Sequence, residues 1–192
     1  MKTNKKHIVY GVGENDLYRT PMLNRYFYKR WCAILNRCYN KKYISLKPTY
    51  KDCEICEEWK IFSVFQKWCE ENYVNGYVLD KDILVKGNKM YSPETCCFIP
   101  NEINALTTNR KNYRNGIIGV HKTRYGNYQV CCSRYGRLNW LGTYATKEEA
   151  FIVYKQQKEA YIKEIAQKYY DDGKINERVY KALLNYKIEI ID

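Results

Sequence analysis

Hydrophobic positions recur at helical spacing in two stretches of the first half of the chain. Residues 24–38, NRYFYKRWCAILNRC, place large apolar side chains on one face, which predicts an amphipathic helix. Residues 57–71, EEWKIFSVFQKWCEE, repeat the pattern with acidic residues in the first turn, and predict a second helix. We interpret both apolar faces as core. Their members are Phe27, Trp31, Ile34, Leu35, Cys38, Trp59, Phe62, Phe65 and Cys69.

The pattern then changes to short runs that predict a strand–turn–strand unit. Residues 77–85, YVLDKDILV, and residues 90–100, MYSPETCCFIP, flank the turn KGNK. Asp80 and Asp82 lie two residues apart in the first predicted strand, so we expect both side chains on the same face of it. A helix is predicted to open at Pro100, because proline favours the first helical position.

The second half of the chain predicts a small sheet and a helix. Residues 107–116, TTNRKNYRNG, have no apolar periodicity and are interpreted as a basic linker. Three short strands joined by glycine-containing turns are predicted between residues 117 and 145. Thr146 and Glu149 have the spacing of a capping box, which predicts the start of a helix that runs to residue 168. Residues 169–192 are predicted to form a helical tail.

The net charge of the chain indicates what kind of partner it binds. The chain has 192 residues, with 33 Lys and Arg against 21 Asp and Glu, a net charge of +12. Such an excess favours a polyanionic partner such as DNA, RNA or a membrane surface. From Ile103 to Lys147 there are eight Lys and Arg and no Asp or Glu, interspersed with Tyr and Asn. A segment of one sign with stacking side chains is typical of nucleic-acid binding.

Compartment and cysteine chemistry follow from what the chain contains. No apolar run reaches the length of about 18 residues that a membrane span needs, and the first residues contain no apolar segment of a secretion signal. We therefore expect a cytoplasmic protein with reduced thiols. Cys53 and Cys56 form a CxxC pair, and Cys38, Cys96 and Cys97 are further candidate zinc ligands. Cys96 and Cys97 are adjacent in the chain, and adjacent cysteines are poorly arranged to chelate one metal ion. We therefore favour partly buried thiols over a structural zinc site.

Residues 119–162, GVHKTRYGNYQVCCSRYGRLNWLGTYATKEEAFIVYKQQKEAYI, resemble the DNA-binding domain of plant ethylene-response factors, the Apetala type. The resemblance implies a three-stranded sheet that enters the major groove of DNA and a helix that supports it. Strand residues would then contact bases and phosphates. Carried onto this chain, they are Lys122, Arg124, Tyr128, Arg134, Arg137 and Trp140. The alternative for Tyr128 and Trp140 is packing against the helix.

Residues 8–106 resemble phage-encoded proteins related to HNH endonucleases. The resemblance is carried by GVGEND, YKRWCAILNRCYN, YKDCEICEEW and LDKDILVKGNKMYSPETCCFIPNEIN. It implies a ββα element that holds one divalent metal ion and hydrolyses a DNA phosphodiester, with a histidine as general base. In this chain neither His7 nor His121 lies in the motif.

The resemblance nevertheless supplies oxygen ligands at matching positions. Asp82 stands at the general-base position, or else, with the alignment shifted by one residue, Asp80 matches the motif aspartate and Lys81 replaces the histidine. Asn104 matches the helix ligand. Asp80, Asp82 and Asn104 are therefore the candidate catalytic and metal-binding residues, and oxygen ligands favour Mg²⁺ or Mn²⁺. An aspartate is a weaker base than histidine at neutral pH.

Together these observations predict an α+β protein. It combines a helical module with an HNH-like ββα-metal element at 1–106, the linker at 107–116, an Apetala-type domain at 117–168 and the tail at 169–192. The predicted function is that of a homing-type, phage-encoded endonuclease acting on double-stranded DNA in a bacterial cytoplasm, with no membrane partner. Two alternatives stay open: a DNA-binding protein without nuclease activity, and a phage protein that inhibits a host defence complex through a host protein partner. The sequence leaves the oligomeric state open.

Overall fold

The computed structural model describes residues 7–108 and 117–190, in two compact units, Met1–Ile99 and Pro100–Asp192. Most of the predicted linker, residues 109–116, lies outside the described residues. The fold is mixed α+β with small sheets, which agrees with the predicted class at that level. The division falls before the helix that opens after Pro100, so that helix belongs to the second unit and not to the first module, where we had expected it.

The first unit begins with a strand pair and two helices. Its elements are β1 (His7–Val9), β2 (Gly13–Asn15), α1 (Arg25–Tyr39), α2 (Lys41–Leu46), a 3-10 turn at Pro48–Tyr50, β3 (Glu54–Ile55), a second 3-10 turn at Glu58–Lys60, α3 (Phe62–Asn72), β4 (Val78–Asp80), β5 (Met90–Tyr91) and β6 (Cys97–Ile99). The two predicted amphipathic helices correspond to α1 and to the 3-10 turn that continues into α3.

The core of the first unit consists of the aromatic faces of α1 and α3. Trp31, Trp59, Phe62 and Phe65 are at most 1% exposed. The one polar atom of the Trp31 ring is satisfied, since Nε1 donates to the Trp59 carbonyl at 2.7 Å. Burying each of these side chains contributes about 1.5–3 kcal/mol. The predicted core face is confirmed, and it supports the strands around which the candidate metal residues lie.

The predicted strand–turn–strand unit differs from the observed one. β4 ends at Asp80 and pairs antiparallel with β6, while β5 pairs in parallel with β3. Residues 81–89 form an irregular segment and not the second half of a strand. The reason is local: Asp80 Oδ1 accepts from the backbone amides of Asp82 (2.8 Å) and Ile83 (2.7 Å), a turn that competes with the strand ladder. The expectation that Asp80 and Asp82 share one strand face is therefore wrong.

The second unit contains α4 (Asn101–Thr107), β7 (Val120–Lys122), β8 (Tyr128–Arg134), β9 (Arg137–Tyr144), α5 (Lys147–Asp171) and α6 (Glu177–Leu184). β7, β8 and β9 form an antiparallel sheet in chain order, and α5 packs on one face of it. The capping box is confirmed, because Glu149 N donates to Thr146 Oγ1 at 3.2 Å and Thr146 N donates to Glu149 Oε2 at 3.3 Å. In the part of the chain that the structure describes, no helix combines the length and apolarity needed to span a bilayer.

Two glycines fix the geometry of this sheet. Gly119, with φ +70°, lies so close to the ring of Tyr154 on α5 that an added Cβ would be 2.0 Å from Cδ2. Gly142, with φ +124°, coincides with a register shift in the β8–β9 pair. Val130 pairs with Gly142, but the next residue, Cys131, pairs with Trp140. The extra residue in β9 determines which side chains leave each face of the sheet.

Candidate functional site

Asp80 terminates β4 with a partly buried carboxylate. Burial raises the pKa of Asp80, and the neighbouring Asp82 carboxylate raises it further, whereas the two backbone hydrogen bonds and the Lys81 ammonium lower it. The net shift is upward, because desolvation is the largest cause. A carboxylate with a raised pKa is a better proton acceptor near neutral pH and remains a hard oxygen ligand. Asp80 therefore has the properties expected of a site residue.

Asp82 has a different environment, because Lys81 already neutralises it. The Lys81 side chain is buried, and its Nζ donates to Asp82 Oδ1 at 2.6 Å and to the Asn88 carbonyl at 2.5 Å. The Asp82 side chain is 52% exposed. A divalent cation at Asp82 would have to displace an ammonium held by two hydrogen bonds. Asp80 and Asp82 therefore differ, because Asp80 bonds to backbone amides and Asp82 bonds to an ammonium.

The loop that carries Lys81 is fixed by Asn88. Asn88 Nδ2 donates to the carbonyls of Lys81 (2.9 Å) and Met90 (2.5 Å), and Asn88 Oδ1 accepts from the Met90 amide at 3.0 Å. These three bonds connect both ends of the irregular segment between β4 and β5. The Lys81–Asp82 pair is consequently part of an ordered loop.

Asn104 lies in α4 of the second unit, half-buried, with Oδ1 3.4 Å from the Thr108 hydroxyl. Its helix follows β6 directly in the chain, and the division between the two units falls between β6 and this helix. Across residues 7–108 and 117–190 no group of three or more His, Cys, Asp or Glu side chains is placed to hold a metal ion. Asp80 belongs to the first unit and Asn104 to the second, and each carries an oxygen donor of the kind that suits Mg²⁺ or Mn²⁺.

The CxxC pair has the chemistry of buried thiols. Cys53 is 3% exposed and Cys56 is half-buried. Burial raises the pKa of both groups, that of Cys56 to about 11. Burial likewise raises the pKa of Cys38 and Cys96 to about 12. Without a metal ion these thiols stay protonated at neutral pH, whereas a coordinated zinc ion would deprotonate them.

The three-stranded sheet separates the predicted DNA-contacting residues onto different sides. Val130 and Cys132 are buried toward α5, so alternation along β8 places Tyr128 and Arg134 on that same side. The contacts of Arg134 agree with this, because its guanidinium pairs with Glu164 of α5 and lies 5.6 Å from the Tyr161 ring centroid.

The strand register also determines on which side of the sheet two further predicted residues lie. Lys122 pairs with Tyr128 and Arg137 pairs with Arg134, so both leave the sheet on the α5 side, at its exposed ends. Arg124 lies in the β7–β8 turn, where it donates to the hydroxyl of Tyr125. The six predicted DNA-contacting residues therefore do not share one face of the sheet, because the register places Lys122 and Arg137 with Arg134 on the α5 side.

The sheet face opposite α5 is here called the open face, and Trp140 is the one predicted DNA-contacting residue on it. It pairs with Cys131, between the positions that turn toward α5, and its side chain is 67% exposed. A cavity of about 180 Å³ on the opposite side is lined by Asn139 and Leu141 together with residues of α5, which confirms the alternation around Trp140.

Six other side chains share the open face with Trp140, and sequence reasoning missed them as a set. They are His121, Gln129, Cys131, Ser133, Leu138 and Thr143. Strand alternation on either side of the buried Val130 would have predicted that Gln129, Cys131 and Ser133 of β8 lie on the open face. The β9 members could not be found by counting, because the extra residue beside Gly142 changes the face.

Comparison with protein-family models, curated proteins and solved structures found no match to this chain. The two resemblances rest on the quoted residues alone. The proposals below are therefore argued from the geometry of the two units and from the charge of the chain.

Proposed function

We propose that this protein binds double-stranded DNA through the open face of the β7–β8–β9 sheet. The observation that carries the proposal is the exposed pair Trp140 and Leu138, 67% and 70% exposed, on a sheet face without any acidic side chain. Trp140 and Leu138 leave the same face of the edge strand β9 two residues apart and form an apolar patch bordered by polar groups, which is typical of an interaction surface. The absence of carboxylates there matches a polyanion.

The size and chemistry of the face fit the major groove. That groove is about 12 Å wide and admits a two-stranded ribbon such as β8–β9. His121, Gln129 and Ser133 supply hydrogen-bond donors and acceptors for base edges, while Trp140 and Leu138 supply apolar contact for thymine methyl groups. Arg124 lies in the exposed β7–β8 turn, and Lys122 and Arg137 leave the α5 side at exposed ends of the strands, where long side chains extend past the edge of the sheet toward phosphates beside the groove.

The first test is titration of a DNA duplex with the wild type and with Trp140→Ala. We expect the variant to bind about 30-fold more weakly, equivalent to about 2 kcal/mol, because a tryptophan that becomes buried in an interface typically contributes much of its affinity. Ile152→Ala is the matched control, since Ile152 is an exposed apolar residue on α5 and not on the open face. Equal affinity of Trp140→Ala and wild type would show that the open face is not the binding surface.

Arg134 and Arg137 are expected to behave differently despite their pairing. Arg134→Gln should leave the dependence of log K on log salt unchanged, because its guanidinium is committed to Glu164. Arg137→Gln should lower that slope by about 1, the loss of one phosphate contact. Binding isotherms across a salt series measure both slopes. A larger loss with Arg134→Gln would mean that Glu164 releases the guanidinium to DNA.

As a second candidate function we propose metal-dependent hydrolysis of the bound DNA by the first unit. The specific observation in its favour is Asp80, a partly buried carboxylate at the end of the antiparallel β4–β6 pair that precedes α4. Asp80 would hold Mg²⁺ or Mn²⁺ in the first unit, and a bound divalent ion would polarise the phosphate and activate water. Asp80 would also accept the proton of the attacking water. Lys81 would keep Asp82 from competing for the ion.

A further inference from the structure

A second segment of one charge sign lies in the first unit. Residues 17–51 contain nine Lys and Arg and no Asp or Glu; the next acidic residue in the chain is Asp52. The structure places the last part of this segment on α2 and the Pro48–Tyr50 turn, with four exposed lysines. We call Lys41, Lys42, Lys47 and Lys51 the α2 lysine patch.

The lysines of the patch have no carboxylate partner within the described residues, whereas lysines elsewhere do. Lys60, for comparison, pairs with Glu57 at 2.5 Å, and Lys181 pairs with Glu177 at 2.7 Å. Four like charges close together in the chain repel one another and weaken the short helix that carries them. A bound polyanion would remove this repulsion.

The backbone under the patch is held in one conformation. Asn40 caps α2, with Oδ1 accepting from the amides of Lys42 (3.0 Å) and Tyr43 (3.2 Å). The ring of Tyr43 lies 5.9 Å from that of Tyr50, which connects α2 to the following turn. Lys89 Nζ donates to the Thr49 carbonyl at 2.9 Å and ties the turn to the neighbouring loop. The four ammonium groups therefore extend from an ordered platform.

Two further contacts attach this platform to the core of the first unit. The guanidinium of Arg37 on α1 lies 5.3 Å from the Tyr50 ring centroid, and its Nη1 donates to the Tyr91 hydroxyl at 3.4 Å. Tyr91 is 3% exposed. Because the platform is attached to buried groups, charges on it lose little conformational entropy when they bind a ligand.

We propose that the α2 lysine patch binds backbone phosphates of DNA and gives the first unit a DNA contact of its own. The proposal rests on the DNA-binding function proposed above. DNA is favoured over a lipid surface because Leu46 is the one apolar side chain of α2 that is largely exposed, too small an apolar surface to insert between headgroups. Phosphate contacts of this kind add affinity and register without sequence readout.

The test replaces all four patch lysines with glutamine in the full chain. Each lost phosphate contact lowers the slope of log K against log salt by about 0.9, so we expect a slope lower by about 3.6 with the quadruple variant. The control replaces four lysines of the second unit, Lys163, Lys174, Lys181 and Lys187, with glutamine, which lowers the net charge equally. Lys-to-Arg replacement of the patch should retain the wild-type slope, and thermal melting should show that every variant folds.

The outcomes separate this inference from the proposed function. If the patch variant and the control lower the slope equally, general charge is responsible and the patch is not a site. If wild type binds DNA in a Trp140-dependent manner and the patch variant has an unchanged slope, only the inference is wrong. If wild type fails to bind DNA at low salt, both are wrong. Patch-dependent binding to phosphatidylserine vesicles with an unchanged DNA slope would assign the patch to a membrane surface.

Discussion

Replacement of Asp80 with asparagine is expected to reduce Mg²⁺- or Mn²⁺-dependent nicking of supercoiled plasmid by at least about 10²-fold, the usual contribution of a general base. The side chain keeps its size and its Oδ1 acceptor for the Asp82 and Ile83 amides, so the turn is retained. The negative charge that would hold a metal ion is lost. The measurement is the rate of conversion of supercoiled to open-circular plasmid with each metal and with a chelator.

Asp82→Asn is the matched control, because Asp82 lies two residues away but is held by Lys81. Its nicking rate should stay within about threefold of wild type, because the asparagine keeps an oxygen acceptor for Lys81 Nζ and the Asn88 carbonyl still accepts from the same ammonium. The reverse result, with activity lost in Asp82→Asn and retained in Asp80→Asn, would restore Asp82 as the metal ligand. If wild type nicks with neither metal while still binding DNA, the hydrolysis proposal is wrong and the protein acts by binding.

Gly119→Ala is expected to destabilise the second unit by about 3 kcal/mol. Two costs add up: a non-glycine residue would adopt a left-handed backbone conformation, and its Cβ would overpack the core. Gly119 has φ +70°, and an added Cβ would be 2.0 Å from the ring of Tyr154, which is itself packed on the sheet from α5. The strand β7 would have to move away from the helix. Chemical denaturation followed by circular dichroism measures the loss.

Gly126→Ala separates the two causes. Gly126 has φ +93°, and nothing lies within 4 Å of an added Cβ, so it carries the backbone penalty of about 1–2 kcal/mol without the clash. The difference between the two variants measures the contact with Tyr154. Equal destabilisation would show that the sheet and α5 separate without cost at this point.

Particular elements show how much of the fold was open to prediction. The apolar faces of α1 and α3 were evident because helical periodicity is a local property that Trp31, Trp59 and Phe65 express without distant partners. The capping box at Thr146 and Glu149 was equally local. The end of β4 was missed, because its turn depends on Asp80 bonding to two amides that alternation does not reveal.

The candidate site residues were likewise predictable only in part from the sequence. Asp80 was found from its position in a resemblance, but its distinction from Asp82 depends on the Lys81 ammonium and on the Asn88 clamp that holds the loop. Trp140 was found from the resemblance, whereas its neighbours on the open face were not. The α2 lysine patch could be located in the sequence as part of a stretch without acidic residues. That its backbone is ordered followed only from the structure, in which the rings of Tyr43 and Tyr50 are in contact.

The sequence by itself determined the long helices, the three-stranded sheet with its capped helix, the basic charge and the chemical types available for binding, because propensity, capping and periodicity act over a few residues. The tertiary structure decided how those residues group. One extra residue beside Gly142 placed Trp140 opposite α5, and one buried ammonium at Lys81 separated two carboxylates that looked equivalent. Strand register and ion pairing depend on side chains far apart in the chain or turned by a local irregularity, so a pattern of neighbours cannot specify them.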